Sequence, residues 1–208
     1  MKIAYYGYRD WSFEIFKEIK SNNKILITSK NYEVLDAFNP DVIFFVGWSD
    51  LIPTNIINKY KCLCIHPSKL PKYRGGSPIQ NQIIDGVEDS AVTLFRMDEK
   101  IDHGPIYNQL SLNLNGTLEK IFDSIITKSI LLINEFVQGK SFPKHQNHNE
   151  ATFCKRRTPD MSEITFFEAR NSSAKQMYDK IRCLQTPYPN AYIKCKNGEK
   201  LYLITAKY

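Results

Sequence analysis

Between Pro40 and Gly47 the chain reads Asp41-Val42-Ile43-Phe44-Phe45-Val46, a run in which every residue after the first is apolar. A strand without a polar face is expected in a parallel sheet that is covered on both sides. A second apolar run, Cys62-Leu63-Cys64-Ile65, follows after a helix-like segment that starts near Pro53. The two runs predict neighbouring strands of an α/β fold.

Strand and helix patterns alternate along the rest of the chain. Upstream, two short strands and two helices are predicted within residues 2–37, and downstream a helix is predicted over 78–84 and a long one over 117–137. Two further strands are predicted over 91–97 and 105–112. We therefore expect a doubly wound, Rossmann-like, mostly parallel sheet, whose ligands bind beyond the carboxyl ends of the strands.

The C-terminal segment predicts a smaller unit. A helix is expected from about Ser173, and Asn197-Gly198 stands between two strand-like runs, which is the pattern of a β-hairpin. We expect a main domain over residues 1–165 and a small C-terminal helix-plus-hairpin subdomain over 166–208.

The composition is that of an ordinary globular protein from a reducing compartment. The net charge is +6, but Lys and Arg are dispersed, with no run longer than Lys155-Arg156-Arg157. This pattern suits a phosphate-bearing small molecule and argues against a nucleic-acid partner. Five cysteines are an odd number for a disulfide framework, and Cys62 and Cys64 lack the second Cys/His pair that a zinc site needs. Without a signal core or a membrane-length apolar stretch, the protein is expected in the cytoplasm, with no metal and no membrane association.

Two polar side chains follow apolar runs and are candidates for one active site. His66 comes directly after the second run, and Asp102 lies in the loop between the predicted strands 91–97 and 105–112. An imidazole titrates near neutrality, so it can carry a proton or stabilise an oxyanion, and a carboxylate beside it can orient it. Acyl transfer to an amine requires a pair of this kind.

Three segments resemble the formyltransferases that use N10-formyltetrahydrofolate. They are His66-Pro67-Ser68-Lys69-Leu70-Pro71-Lys72-Tyr73-Arg74-Gly75-Gly76-Ser77-Pro78-Ile79, Val92-Thr93-Leu94-Phe95-Arg96-Met97-Asp98 and Ile101-Asp102-His103-Gly104-Pro105-Ile106. Residues 156–160, 181–182 and 187–191 are similar to the sugar N-formyltransferase and methionyl-tRNA branches of that family. The resemblance implies the fold expected above, an N-formyltransferase activity, and N10-formyltetrahydrofolate as the formyl donor.

The resemblance assigns catalysis to His66 and Asp102, and the sequence departs from the family at Cys64. The family's usual Asn stands two residues before the His, and a thiol is a poor hydrogen-bond donor compared with an amide. Three explanations are open: another hydrogen-bond donor replaces the Asn, His66 works with a water molecule alone, or the protein has lost catalysis. The candidate donors are a backbone NH and the side chains of Gln80, Asn81 and Gln82. A nucleophilic Cys64 is less favoured, since strand positions i and i+2 need not form a hydrogen-bonded pair.

The resemblance also implies where the folate and the amine bind. The pterin is expected between the loop after the third strand and the loop that carries Asp102. The first wall is expected to contain Phe45, Gly47, Trp48, Leu51 and Ile52, and the second Asp98, Glu99, Lys100 and Ile101. The amine substrate is expected to contact Lys72, Tyr73, Arg74, Gly75 and Asn81.

The expected acceptor is an amino sugar, linked to a nucleotide, in an enzyme of surface polysaccharide biosynthesis. Methionyl-tRNA formyltransferases generally carry a further C-terminal barrel with a basic face, which this sequence does not include. A methionyl-tRNA substrate is therefore the alternative, and a catalytically weakened folate-binding module is a third reading that Cys64 leaves open. The resemblance further suggests a homodimer.

Overall fold

A six-stranded sheet forms the centre of the computed structural model, which describes residues 1–208. This sheet and two smaller ones contain β1 (Ile3–Tyr6), β2 (Lys24–Ile27), β3 (Val42–Val46), β4 (Cys62–His66), β5 (Arg74–Gly75), β6 (Asp89–Arg96), β7 (Ile106–Asn113), β8 (Phe153–Cys154), β9 (Ala191–Lys194) and β10 (Lys200–Leu203). The α-helices are α1 (Asp10–Lys17), α2 (Val34–Phe38), α3 (Thr54–Lys59), α4 (Pro78–Ile84), α5 (Leu118–Val137), α6 (Phe166–Asn171) and α7 (Ala174–Cys183).

The large sheet is mostly parallel. Its strand order is β2-β1-β3-β4-β6-β7, and β1 to β4 run in parallel. Strands β6 and β7 are antiparallel and complete one side of the sheet. The predicted Rossmann-like α/β fold is confirmed.

The unbroken apolar run of β3 is explained by two hydrophobic clusters, one on each face of the sheet. All five side chains of this strand are buried. The larger cluster takes Val42, Phe44 and Val46, and the smaller cluster takes Ile43 and Phe45. Successive side chains of a strand point to opposite faces, so a strand covered on both faces needs no polar position.

The same alternation fixes the orientation of β4. Leu63 and Ile65 belong to the larger cluster, whereas Cys62 and Cys64 lie on the face of the smaller one. His66 continues the second series, so it shares a sheet face with Cys64.

Helix ends follow local signals. Thr117 accepts a hydrogen bond from the backbone N–H of Lys120 and begins α5, and Ser173 accepts one from Gln176 and begins α7. Gly139, with φ +71°, follows the end of α5. Both helices therefore begin where the sequence predicts a helix start, and a left-handed glycine is a common helix stop. None of the helices combines the length and the apolarity needed to cross a membrane.

The C-terminal segment packs against the main part of the chain and shares its core. Helix α7 packs against α4, and β9 pairs with β10 as the predicted hairpin. Ile181, Cys183 and Ala191 lie in the same cluster as the apolar residues of β1 and β3. The division at residue 165 stays a prediction, and residues on its two sides share one core.

One strand pair joins distant parts of the chain. Strand β5 pairs in parallel with β8, which lies almost eighty residues further along the chain. Gly75 is required at this junction, because a Cβ there would collide with the carbonyl oxygen of Cys154. The pairing brings the second half of the chain beside the turn that follows His66.

Candidate active site

A cavity of about 620 Å³ lies among the loops that follow β3, β4 and β6. This volume falls within the range of roughly 300–1,000 Å³ that small-molecule sites occupy. His66, Asp102 and Cys64, the three candidate catalytic residues, all line it. The sequence therefore predicted three side chains that the fold brings to one place.

The loop that carries Asp102 reaches His66 by an indirect route. Because β6 is antiparallel to β4, its last residue Arg96 pairs with Leu63 rather than with His66. The loop 97–105 therefore starts beside the beginning of β4. It must run back along that strand for Asp102 to meet His66.

Gly104 allows the two ends of this loop to approach each other. The backbone N–H of Arg96 donates to the carbonyl oxygen of Pro105 at 2.8 Å. A Cβ at Gly104 would collide with the carbonyl oxygen of Arg96. The route of the loop thus depends on a residue without a side chain at its base.

The imidazole of His66 is held in one orientation. The residue is 5% exposed, and its Nε2 donates to the carbonyl oxygen of Tyr73 at 2.8 Å. A carbonyl can only accept, so Nε2 carries a hydrogen and, in neutral imidazole, Nδ1 does not. Nδ1 lies 3.5 Å from Oδ2 of Asp102. A proton gained at Nδ1 therefore faces a carboxylate.

Asp102 is held by groups from two other segments. Its φ of +49° is left-handed, a conformation that costs about 1–3 kcal/mol and persists only when the surroundings fix it. Oδ2 accepts from the backbone N–H of Gly75 at 2.8 Å, and the carbonyl oxygen accepts from Nε2 of Gln146 at 3.0 Å. The carboxylate is thus positioned before any substrate arrives.

Arg74 supports this arrangement from the interior. It is buried, and its Nη2 donates to Oε1 of Gln146 at 2.6 Å and to Nδ1 of His148 at 2.9 Å. Burial lowers the pKa of Arg74, while Asp102 and Asp98 oppose that shift. Arg74 therefore positions Gln146, which in turn holds the loop of Asp102.

Comparison with known proteins relates this geometry to a family. The family model described as formyl transferase matches residues 9–125, more than half of the chain. The chain belongs to the formyl transferase family. Members of this family take the formyl group from N10-formyltetrahydrofolate.

The relatives of this chain differ in their named substrates. A methionyl-tRNA formyltransferase of Lachnospira eligens is 36% identical over 168 residues, which make up 77% of this chain and 52% of that protein. A solved methionyl-tRNA formyltransferase from Clostridium thermocellum is 32% identical, with a TM-score of 0.85 over 97% of this chain and 96% of that one. A sugar N-formyltransferase from a Shewanella species shares the fold at 16% identity and a TM-score of 0.78, over 100% of this chain and 98% of that one. This chain spans 52% to 60% of the length of the curated methionyl-tRNA formyltransferases.

All nine residues expected to bind folate line the cavity. On the first wall, Trp48 packs edge-on against Tyr6 and Tyr8 with ring centroids 5.3 Å apart, so it contributes to the core as well as to the cavity. On the second wall, Asp98 accepts a hydrogen bond of 2.7 Å from Nδ1 of His103. Their contact with folate remains a prediction.

The five residues expected to bind the amine lie in different parts of the structure. Gly75 lines the main cavity. Lys72, Tyr73 and Asn81 line a second pocket of about 530 Å³ instead. Arg74 lines neither, because its guanidinium is engaged in the interior. The geometry thus brings one of the five to the candidate catalytic pair.

Further cavity residues come from other parts of the chain, and the sequence did not assign them a role in the site. They are Arg9, Trp11, Phe122, Ile125, Phe153, Cys154, Arg156, Pro187 and Tyr188. The segments around Arg156 and Tyr188 carried a family resemblance, which was the available signal. Nothing in the local pattern marked the others.

The thiol of Cys64 is neither a nucleophile nor a strong donor. Burial raises the pKa of Cys64 well above its usual value, and the carboxylate of Asp102 adds to the shift. Its Sγ–H donates to the carbonyl oxygen of Ile65 at 3.5 Å. A neutral thiol of this kind is inert, so the geometry gives no support to a covalent role.

We expect Cys64 to react with iodoacetamide at pH 8 at least about ten times more slowly than Cys195, because Cys64 is less accessible and burial raises its pKa, which lowers the thiolate fraction. Cys195 is exposed and serves as the internal reference. Timed alkylation followed by peptide mass spectrometry measures both rates in one sample. Equal rates would show that Cys64 is a reactive thiolate.

Proposed function

We propose that this chain transfers the formyl group of N10-formyltetrahydrofolate to the amine of an amino sugar that is linked to a nucleotide. The observation that carries the proposal is the approach of His66 and Asp102, 3.5 Å apart, on the lining of one cavity of about 620 Å³. A cavity of this size has room for a folate head group and for part of a second substrate.

The cavity has the chemistry that a folate donor needs. Phe45, Leu51 and Ile52 give one wall an apolar surface. Trp48 adds aromatic surface. The opposite wall, residues 98–101, is a loop whose backbone groups can bind the polar edge of a pterin. An apolar slot with a few polar groups is typical of small-molecule sites.

Formyl transfer exchanges one carbon–nitrogen bond for another. The lone pair of the amine bonds to the formyl carbon, and the carbonyl pair moves onto the formyl oxygen. When that pair returns, the bond from the formyl carbon to N10 breaks, and the proton lost by the amine ends on N10. In this chain Nδ1 of His66 accepts the amine proton and passes it on, while Asp102 stabilises the imidazolium.

Charged and aromatic residues in the cavity support a nucleotide-linked sugar as the acceptor. Arg9 and Arg156 line it and offer positive charge for phosphate groups. Trp11 and Tyr188 add aromatic surface. Burial raises the pKa of Tyr188 above its usual value, so its hydroxyl stays protonated and can donate to a sugar hydroxyl.

A methionyl-tRNA substrate is the second candidate. The observation in its favour is the identity of 36% and 32% with two methionyl-tRNA formyltransferases. Against it stands the dispersed charge of the chain, since a tRNA site calls for a basic patch on one face.

The two candidates are separated by a single-turnover assay after donor binding has been measured. Calorimetry with N10-formyltetrahydrofolate is expected to show binding to one site. The donor complex is then mixed with a panel of nucleotide-linked amino sugars and, separately, with charged initiator tRNA, and products are identified by mass spectrometry. We expect one of the sugars to gain a formyl group.

Other outcomes decide against the proposal. Formylation of the tRNA and of no sugar would replace the sugar by methionyl-tRNA. Donor binding without product from any amine would make the chain a folate-binding module. Failure of the donor to bind would exclude formyl transfer altogether.

A further inference from the structure

Because Cys64 stands where the family has Asn, the proposed reaction lacks one hydrogen-bond donor. A negative charge develops on the formyl oxygen during transfer, and donors aimed at that oxygen accelerate the reaction. The family's Asn would supply a carboxamide N–H at position 64. The Cys64 thiol is directed at the carbonyl oxygen of Ile65.

Two of the three candidate side chains already donate to other groups of the protein. Nδ2 of Asn81 donates to the carbonyl oxygens of Gly76, Ser77 and Lys155 at 3.0 to 3.1 Å. This hydrogen-bonding arrangement fixes the start of α4 and turns the amide away from the main cavity, whose lining does not include Asn81.

Gln82 is engaged in the same way. Its Nε2 donates to the carbonyl oxygens of Pro67 and Pro78, both at 2.9 Å. Its Oε1 accepts from the hydroxyl of Ser90. Both ends of this amide therefore have structural partners, and neither is free for a substrate.

Gln80 is different. Its side chain lines the main cavity together with Cys64 and His66. The residue is 4% exposed, and its Oε1 is buried without any hydrogen-bond partner. Buried polar groups are nearly always satisfied, so an unpaired amide at a cavity wall indicates that a bound molecule is its partner. The oxygen and the NH₂ of an amide can exchange places within the same volume, so the group that meets the bound molecule can be a donor.

We propose that the carboxamide of Gln80 donates a hydrogen bond to the formyl oxygen and so takes over the role of the Asn that Cys64 replaces; the inference rests on the formyl transfer proposed above. As the carbonyl pair moves onto the formyl oxygen, the N–H of Gln80 stabilises the charge. No proton or electron pair is transferred to Gln80. When the pair returns and the bond to N10 breaks, the hydrogen bond weakens again.

The test is the infrared band of the formyl carbonyl in bound N10-formyltetrahydrofolate labelled with ¹³C at the formyl carbon. A hydrogen bond to the oxygen lowers the stretching frequency, so the band is expected to move to higher frequency in Gln80→Met. Gln138→Met makes the same exchange at an exposed position and is expected to leave the band unchanged. The measurement needs no amine.

Rescue tests the link to position 64. We expect the double variant Cys64→Asn, Gln80→Met to bring the band back towards its original position, because the restored amide takes over the hydrogen bond. With an amine that the protein formylates, Gln80→Met is expected to lower kcat by about 10²–10³-fold, with KM for the donor within about threefold. Cys64→Asn alone is expected to change kcat by less than about tenfold.

Several results would overturn the inference. An unchanged band in Gln80→Met, with the donor still bound, excludes the hydrogen bond. If adding Cys64→Asn to Gln80→Met did not reverse the shift of the band, Gln80 would be a positioning residue. The same conclusion would follow if a folded Gln80 variant no longer bound N10-formyltetrahydrofolate. Failure of the unaltered protein to bind the donor is a failure of the proposed function and is seen by calorimetry before any variant is made.

Discussion

The variant His66→Gln is expected to lower kcat by about 10²–10⁴-fold, the usual contribution of a positioned acid–base group. The amide of Gln can preserve a hydrogen bond to the carbonyl oxygen of Tyr73, but it cannot take up a proton beside Asp102 as Nδ1 does. Because the residues expected to bind the folate are those of the two cavity walls, KM for N10-formyltetrahydrofolate is expected to stay within about threefold.

Single-turnover formylation with the amine identified above measures this loss. His145→Gln is the matched control, because His145 is exposed and lies outside the cavity lining. It is expected to keep the original rate. A His66→Gln protein that is folded, binds the donor and retains more than about a tenth of the rate would remove His66 from the chemistry.

Gly104→Ala is expected to lower the free energy of unfolding by about 1–3 kcal/mol and to reduce activity as well. The added Cβ collides with a backbone oxygen of Arg96, which cannot rotate away as a side chain can. The base of the loop 97–105 must then open, and Asp102 moves relative to His66.

Urea denaturation gives the change in stability, and the formylation assay gives the change in rate. Gly116→Ala separates the collision from the ordinary cost of replacing a glycine, since a Cβ there meets nothing within 4 Å although φ is +90°. That control is expected to lose about 1 kcal/mol of stability and none of the activity. If the two variants behaved alike, the collision at Gly104 would be unimportant.

Much of this fold is predictable from patterns that need no partner. The apolar run of β3 indicates that both faces of its sheet are covered. The alternation of side chains within β4 places Cys64 and His66 on one face. Thr117 and Ser173 mark helix starts by chemistry that acts within a few residues. Local rules of this kind survive folding because tertiary contacts do not oppose them.

The site was predictable in part, and the limits have physical causes. His66, Asp102 and the folate-wall residues were found through their resemblance to a family, and all of them line the cavity. The route of the Asp102 loop was not predictable, because the direction of β6 depends on its pairing with β4. The interior role of Arg74 was missed for a similar reason: its partners Gln146 and His148 are distant in sequence.

The pairing of β5 with β8 has a consequence for how this protein is made. Asp102 receives its backbone hydrogen bond from Gly75, and Gly75 is itself held in register by Cys154. On the ribosome, His66 and Asp102 therefore leave the exit tunnel well before the segment that locks them together. We expect a chain that ends before residue 154 not to bind folate, even if its first four strands have folded.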